Sequence, residues 1–258
     1  MIIATFNVNS VRQRIEHLTR WLQARAPDIV CLQELKCVDD AFPRAEIEAL
    51  GYNVATHGQK TFNGVAILSR HPMEIEHRGL PGFEDEQARY IEAVVSVPGE
   101  AIRVCGIYFP NGNPAPGPKY DYKLAFMKAL TAHAEALLKH EEKLVIAGDY
   151  NIIPEPRDVK FPEAWVSDAL FLPESRAAYR RLLNLGFTDA IRAQSDAAGL
   201  YTFWDYQAGA WQRNNGIRID HLLLSPRAAD ALKETGIDKD LRAEEKPSDH
   251  VPVWCRLG

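Results

Sequence analysis

Several kinds of protein are ruled out by what this chain lacks. No apolar run approaches the roughly 20 residues needed to cross a bilayer. The first nine residues, Met1 to Asn9, carry neither a basic segment nor a long apolar one, so no secretory leader is expected and the expected location is the cytoplasm. Cysteine is scarce. Cys31, Cys37, Cys105 and Cys255 show no C-x-x-C spacing, and two of them lie inside apolar strand-like runs. All four read as reduced thiols, mostly in the core. Positive charge is not in excess either: 30 Lys and Arg face 35 Asp and Glu, a formal net charge of −5. A protein that coats nucleic acid by bulk charge is basic, so any hold on phosphates must come from a local patch. There is no tandem repeat and no low-complexity tract.

What is present is a chain able to bury a large core: 258 residues, 46% of them apolar. Strand-like runs recur from end to end, at Ile2–Val8, Asp28–Leu32, Tyr52–Thr56, Gly64–Ser69, Tyr90–Val97, Ile102–Phe109, Lys143–Ala147, Ile217–Ser225 and Val251–Arg256. Several are β-branched with few breakers, the pattern of strands buried on both faces. Helical periodicity appears between them. Val11, Ile15, Leu18 and Leu22 form one apolar face before Pro27, a second helix runs from about Lys119 to Leu138, and a third spans Glu174 to Leu185 with Gly186 at its cap. Chemistry-bearing residues flank both breaker-rich stretches, 110–118 and 151–162, so neither resembles an interdomain linker. One α/β domain over residues 1–258 is expected, a layered sandwich with two sheets face to face and helices outside.

The acidic and amide residues fall at strand ends. Asn7 and Asn9 close the first run, Gln33 and Glu34 the second, and Asp149 and Asn151 follow Lys143–Ala147. Asp220 lies in the Ile217–Ser225 run, and Ser248-Asp249-His250 opens the last. Any one of these is an ordinary strand stop. Five such segments in one chain can instead converge at one sheet rim. Carboxylates and amides without a cysteine cluster make a hard, oxygen-rich site suited to Mg²⁺ or Mn²⁺ and not to zinc. His250 beside Asp249 adds a group for a proton or charge role near neutral pH. Such a set fits phosphodiester hydrolysis, in which a metal polarises the phosphate, an anion aligns water and donors neutralise developing charge.

With these residues in view, the chain resembles the exodeoxyribonuclease III and apurinic/apyrimidinic endonuclease family, within the endonuclease/exonuclease/phosphatase superfamily. The resemblance rests on Asn7, Leu32-Gln33-Glu34, Tyr108-Phe109-Pro110-Asn111, Gly148-Asp149-Tyr150-Asn151, Arg218-Ile219-Asp220 and Ser248-Asp249-His250, in order along essentially the whole chain. His57-Gly58-Gln59-Lys60 and Glu245-Lys246-Pro247 are more particular still. It implies a four-layered α/β sandwich, two mixed β-sheets flanked by helices, and a DNA-repair nuclease that cuts 5′ to abasic sites and removes 3′ nucleotides or 3′ blocking groups. The implied cofactor is Mg²⁺, with Mn²⁺ able to substitute. The implied partner is double-stranded DNA with abasic sites or damaged 3′ ends, bound by a monomer.

The resemblance also assigns roles. Glu34 is the implied principal metal ligand, with Asn7 nearby and Asp249 completing or supporting the site. Asp149 orients or deprotonates the attacking water, and Asn151 holds Asp149 or that water by a hydrogen bond. His250 donates to the scissile phosphate and is oriented by Asp220. Tyr108 contacts the phosphate or leaving group, and Asn111 is a neighbouring DNA contact. Lys60, Arg89 and Arg218 are further expected DNA contacts, with Arg12, Lys119, Lys123 and Arg176 as weaker candidates for the same basic stripe. Phe203, Ile217 and Ile219 are the implied walls of an apolar pocket for the base-less sugar. Some relatives carry tryptophan where this chain has Ile217, and many have glycine at the place of Ser10, which bears on the balance of activities. The nearest competing reading is another superfamily phosphodiesterase, such as a non-specific deoxyribonuclease or a phosphatase of inositol phosphates. A catalytically silent DNA-binding protein would be expected to have lost one of Glu34, Asp149, Asn151 or His250, and all four are present.

Overall fold

In the computed structural model, which describes residues 1–258, the apolar runs pair into two sheets of six strands each. The first contains β1 (Ile2–Asn7), β2 (Ile29–Gln33), β3 (Asn53–His57), β4 (Val65–Ser69), β11 (Leu232–Ile237) and β12 (Val253–Leu257), in the order β11-β12-β1-β2-β4-β3. The second contains β5 (Met73–Arg78), β6 (Tyr90–Val97), β7 (Glu100–Tyr108), β8 (Lys143–Asp149), β9 (Thr188–Asp189) and β10 (Asp220–Leu224), in the order β5-β6-β7-β8-β10-β9. Each sheet has one parallel pair, β1–β2 and β7–β8, among antiparallel neighbours. Both sheets are therefore mixed.

Strand parity builds the layers. Ile3, Ile29, Cys31, Val65 and Ile67 of the first sheet meet Ile91, Val104, Val145, Ala147 and Leu222 of the second in the central core. Their sequence neighbours Ala4, Phe6, Val30 and Leu32 point the other way, against Leu18, Trp21 and Leu22 of α1 (Ile15–Arg25) and Ile47 of α2 (Arg44–Glu48). Cys105, Ile107, Leu144 and Ile146 likewise pack outward on α3 (Pro118–Leu138) and α4 (Pro173–Asn184). A strand with helices on one face and a second sheet on the other has no polar face to show, which is why these segments read as continuous apolar runs. Short α5 (Ala190–Gln194) and α6 (Pro226–Asp230) add Ala190, Ile191 and Ala228 to the central core. No helix is long and apolar enough to cross a membrane. All four cysteines are free and buried.

Three expectations shift. The first helix begins at Ile15, not Val11; Ser10 adopts a left-handed φ of 83° and Val11 is tied by its N–H to Leu35 O at 3.3 Å. The last-but-one expected strand is regular only from Asp220. Ile217 makes isolated bridges to Val159 and Phe203 instead. Strands β5 and β11, not anticipated, are edge strands whose side chains are mostly exposed or half-buried, so they lack an apolar signature.

The two parallel pairs place the site. Register sets Asn7 beside Gln33 and Tyr108 beside Asp149, so the C-terminal ends of four strands finish at one rim. Antiparallel β10 brings its first residue, Asp220, opposite Asp149. Gly148 is required by this packing: a Cβ there would lie 2.0 Å from Ile107 O.

Candidate active site

Two residues leave the strand ends by backbone conformations that side chains rarely adopt. Glu34, just past β2, has φ 53°, and Asn151, two residues past Asp149, has φ 47°. Asn tolerates the left-handed region. A glutamate there is strained, and such strain persists where surrounding structure holds it. The strain at Glu34 is opposed by hydrogen bonds: its Oε1 accepts from Asn7 Nδ2 at 2.9 Å and from the Tyr108 hydroxyl at 3.0 Å. Lys36 Nζ lies 2.8 Å from Oε2.

The same Asn7 amide donates to Asp149 Oδ2 at 3.0 Å, so one side chain braces both carboxylates. Asp149 Oδ1 accepts from Asn151 N at 2.8 Å, and Asn151 Nδ2 is anchored on Phe109 O at 2.9 Å. On the other side, His250 Nε2 stands 3.6 Å from Asp149 Oδ2, while Nδ1 bonds Asp220 Oδ2 at 2.9 Å. Asp220 is itself fixed by the Thr202 hydroxyl at 2.6 Å. Ligand atoms of Glu34, Asp149 and His250 all lie within 4.8 Å of one another.

The protonation states follow from these contacts. Burial disfavours the charged imidazolium of His250, but Asp220 and Asp149 override it and raise the group to about 10. Burial lifts Asp149 well above the carboxylate range, with Asp220 and Glu34 adding to the rise and His250 opposing it. Of this pair the imidazole keeps the proton, because Asp220 contacts it directly. For Glu34, burial is outweighed by Lys36 and Asn7, and the carboxyl stays ionised below its usual value. Tyr108 is pushed up by burial and by the facing Glu34 and Asp149, so its hydroxyl remains a donor.

These groups open onto a cavity of 310 Å³ whose far wall is apolar: Trp165, Leu170, Phe203, Ile217 and Ile219, with Asp168 among them. Phe203 is half-buried and packs edge-on against the His250 ring, centroids 5.0 Å apart. A larger groove of 710 Å³ runs between the β3 and β5 edges, but it carries none of these residues. Size does not mark the site here.

Known proteins share both sequence and architecture. Residues 4–250 match the family model described as Endonuclease/Exonuclease/phosphatase family. The chain belongs to that family. It is 36% identical to exodeoxyribonuclease III of Haemophilus influenzae, over the full length of both proteins. An AP endonuclease from Archaeoglobus fulgidus superposes with a TM-score of 0.94 at 36% identity, covering 100% of this chain and 99% of that one. A 3′ phosphatase from Neisseria, solved with a product DNA hairpin, gives 0.94 at 39% identity with the same coverage. Within the family, these relatives place the chain on the exodeoxyribonuclease III and AP endonuclease branch, a branch of hydrolases.

For a member of this family the structure brings Asn7, Glu34, Tyr108, Asp149, Asn151, Asp220 and His250 together as the sequence pattern implied. Of the expected metal ligands, Asn7 and Asp249 both have hydrogen-bonding partners of their own. Asn7 turns its amide nitrogen to the carboxylates, and its oxygen accepts from Asn9 N at 3.0 Å. Asp249 reaches Glu34 through intermediaries: Asn9 Nδ2 donates to Asp249 at 3.0 Å, and Lys36 Nζ donates to Asn9 Oδ1 at 2.5 Å.

Among the expected DNA contacts, Arg218 is a correction. It is 1% exposed and paired with Asp158 at 2.6 Å and Asp189 at 2.7 Å, enclosed away from any phosphate. Lys123 is also buried, donating to the carbonyls of Asn111, Asn151 and Ala169. Arg89 has its guanidinium 4.8 Å from the Tyr108 ring and one donor on Tyr108 O, and it lines a pocket with Asn111 and Lys119. Lys60, Asn111, Arg12 and Lys119 are exposed. Residues the sequence reading passed over are Lys36, Thr202, Trp165, Asp168 and Leu170. Only Lys36, two residues after Glu34, had a local signal.

Proposed function

We propose that the protein hydrolyses phosphodiester bonds in duplex DNA, cutting 5′ to abasic sites and removing 3′ nucleotides or 3′ blocking groups, with Mg²⁺ as cofactor. The observation that carries this is the Asp220–His250–Asp149 line facing Glu34 at the mouth of an apolar cavity. A protonated imidazole held in one orientation is a donor for a phosphate oxygen, and a raised, buried carboxylate beside it is a base for water.

The donor set fits a hard divalent ion. Two carboxylates, half-buried Glu34 and buried Asp149, are bridged by a single amide, and the imidazole beside them has its Nδ1 engaged by Asp220. Glu34 is the residue that would hold Mg²⁺, braced by Asn7 and Tyr108, with Asp249 supporting it through Asn9 and Lys36. When bound, the ion supplies Lewis acidity to the phosphate and charge neutralisation, and Mn²⁺ shares its oxygen preference. The chain's own residues do the rest. Asp149, held by Asn151 N, orients the attacking water and takes its proton. His250 Nε2 donates to the phosphate, and Asp220 keeps the ring charged and aimed. The Tyr108 hydroxyl donates to the phosphate or the leaving oxygen. Phe203, Ile217 and Ile219 receive a sugar without a base, while Asn111, Lys60 and the exposed Arg12 and Lys119 hold flanking phosphates.

The test is cleavage by purified protein of abasic, nicked and 3′-phosphate duplexes in Mg²⁺, repeated in excess chelator and with Glu34→Gln. Mg²⁺-dependent cutting of the DNA substrates, greatly weakened in Glu34→Gln, is expected. Full activity in chelator removes the metal from the reading. Hydrolysis of inositol polyphosphate without DNA cleavage overturns the substrate.

A further inference from the structure

Hydrolysis of an abasic diester and of a 3′-phosphate breaks the same bond. In both, water oxygen joins phosphorus, the bond to the 3′ oxygen breaks, and that oxygen ends protonated. The two substrates differ on the far side of phosphorus. A diester carries one negative charge and continues into a neutral sugar, whereas a terminal monoester ends in a bare oxygen and carries about two charges at pH 7. Whatever lines the cavity beyond the phosphate therefore separates them.

Asp168 is a charged residue of the cavity lining, beside the apolar wall. It belongs to the β8–α4 loop with Trp165 and Leu170, and all three line the cavity. The carboxylate is fixed: Oδ1 accepts from Leu170 N at 2.8 Å and from Asn113 Nδ2 at 3.1 Å. Asn113 Oδ1 in turn accepts from Ala169 N at 3.0 Å, locking this loop to the 110–118 loop. Both bonds to Asp168 fall on one oxygen, and Oδ2 accepts none. No cation contacts it directly: the buried Lys123 amine attracts it through space, but its hydrogen bonds go to the carbonyls of Asn111, Asn151 and Ala169. The result is a carboxylate held in place on the cavity wall beside Trp165 and Leu170, with one oxygen free and no direct ion pair.

We propose that Asp168 is a specificity-determining residue that disfavours 3′-phosphate monoesters relative to abasic diesters; this rests on the nuclease reading above. A neutral sugar entering the cavity meets no charge opposition, while the second charge of a terminal phosphate is repelled. One extra unit charge across a protein pocket corresponds to roughly tenfold in rate or affinity.

The experiment measures kcat/KM on a 3′-phosphate duplex and on an abasic duplex for the wild type, Asp168→Asn, Asp168→Glu and Asp205→Asn, at low and high salt, with thermal melts alongside. Asp168→Asn keeps the Oδ1 acceptor and removes the charge. Its phosphatase-to-abasic ratio rises roughly tenfold, and the gap to wild type narrows as salt screens the charge. Asp168→Glu keeps the ratio low. Asp205, exposed at the same cavity, gives a smaller change in Asp205→Asn. An unchanged ratio in Asp168→Asn with both activities present overturns the proposal, as does an equal rise in Asp205→Asn. A wild type that cuts neither substrate overturns the nuclease reading, and this proposal with it.

Discussion

Two networks of ionisable residues lie side by side at the start of β10. Asp220 joins His250, Asp149, Asn7 and Glu34. Two residues earlier, Arg218 joins Asp158, Asp189, Arg192, His221 and the Tyr179 hydroxyl. Both are almost free of solvent, and both hold strongly shifted groups. They differ in what their hydrogen-bonding capacity does. In the Arg218 network each carboxylate meets a guanidinium, and His221 is closed at both ring nitrogens by Arg218 and Ile152 O. In the Asp220 network two carboxylates share one amide, His250 Nε2 stops 3.6 Å short of Asp149, and the open side is a cavity. A perturbed titratable group is thus a weak marker of chemistry by itself. Unmatched charge facing open volume is the stronger one.

The largest effect expected from breaking this contrast is on the unmatched side. Asp149→Asn removes the water-orienting anion and lowers the single-turnover rate by on the order of 10²–10⁴, while duplex binding survives because it rests on phosphate contacts elsewhere. His250→Ala loses a similar amount. Asp220→Ala is milder, since Asp220 acts through the imidazole. Stability moves the other way: relieving the repulsion between buried carboxylates leaves the Asp149→Asn melting temperature unchanged or higher. A near-wild-type turnover rate in Asp149→Asn takes that residue out of the mechanism.

On the matched side the order reverses. Arg218→Ala leaves Asp189 buried without a counter-charge and Asp158 with Arg192 alone, a loss of about 3–5 kcal/mol. Denaturant titration reads this directly. A variant that melts like wild type but loses DNA affinity would return Arg218 to the phosphate contacts.

The same network sharpens the comparison through pH. Burial, with the neighbouring Arg218 charge, depresses His221 to about 4. The unfolded chain takes up a proton near the ordinary value of about 6.5, whereas the folded one does not until about 4. Stability is therefore complete above pH 6.5 and declines as pH falls toward 4, by about 2 kcal/mol between 6.5 and 5. His221→Gln flattens that slope. A slope equal in variant and wild type places the proton uptake on other groups.

How far all this could be read in the sequence follows from where partners lie along the chain. The central strands were legible because packing on both faces forces apolar runs, as in Val65–Ser69 and Lys143–Asp149. Edge strands Met73–Arg78 and Leu232–Ile237 were not, because an edge is free to be charged. The catalytic residues were legible because each follows or opens a strand within a recognisable motif. Arg218 was misread for the opposite reason: its partners Asp158 and Asp189 lie 60 and 29 positions away, with no local mark of the pairing. Asp168 and Trp165 reach the cavity through a loop fixed by Asn113 of a different loop, which spacing cannot reveal.

The smallest expected effect concerns the apolar wall, where the two kinds of environment meet. Ile217 and Ile219 are almost fully buried and pack with Ile153, Val159, Leu170 and Phe171, so they could serve the core alone. Phe203 is different: half-buried, it lines the cavity and touches the His250 ring. Truncation to alanine therefore costs less than the ~3–5 kcal/mol of a fully buried phenylalanine. Extruding a normal nucleotide costs a few kcal/mol that a base-less sugar avoids, and a tight wall adds rejection by size. Removing the ring widens the pocket, so Phe203→Ala narrows the preference for abasic over intact duplex by roughly tenfold, the scale set by small changes in apolar pocket volume. Because the ring also rests on His250, the turnover rate falls on both substrates, and only their ratio isolates the pocket. A lowered melting temperature with an unchanged ratio assigns Phe203 to the core, and the wall that senses the missing base is then Trp165 and Leu170.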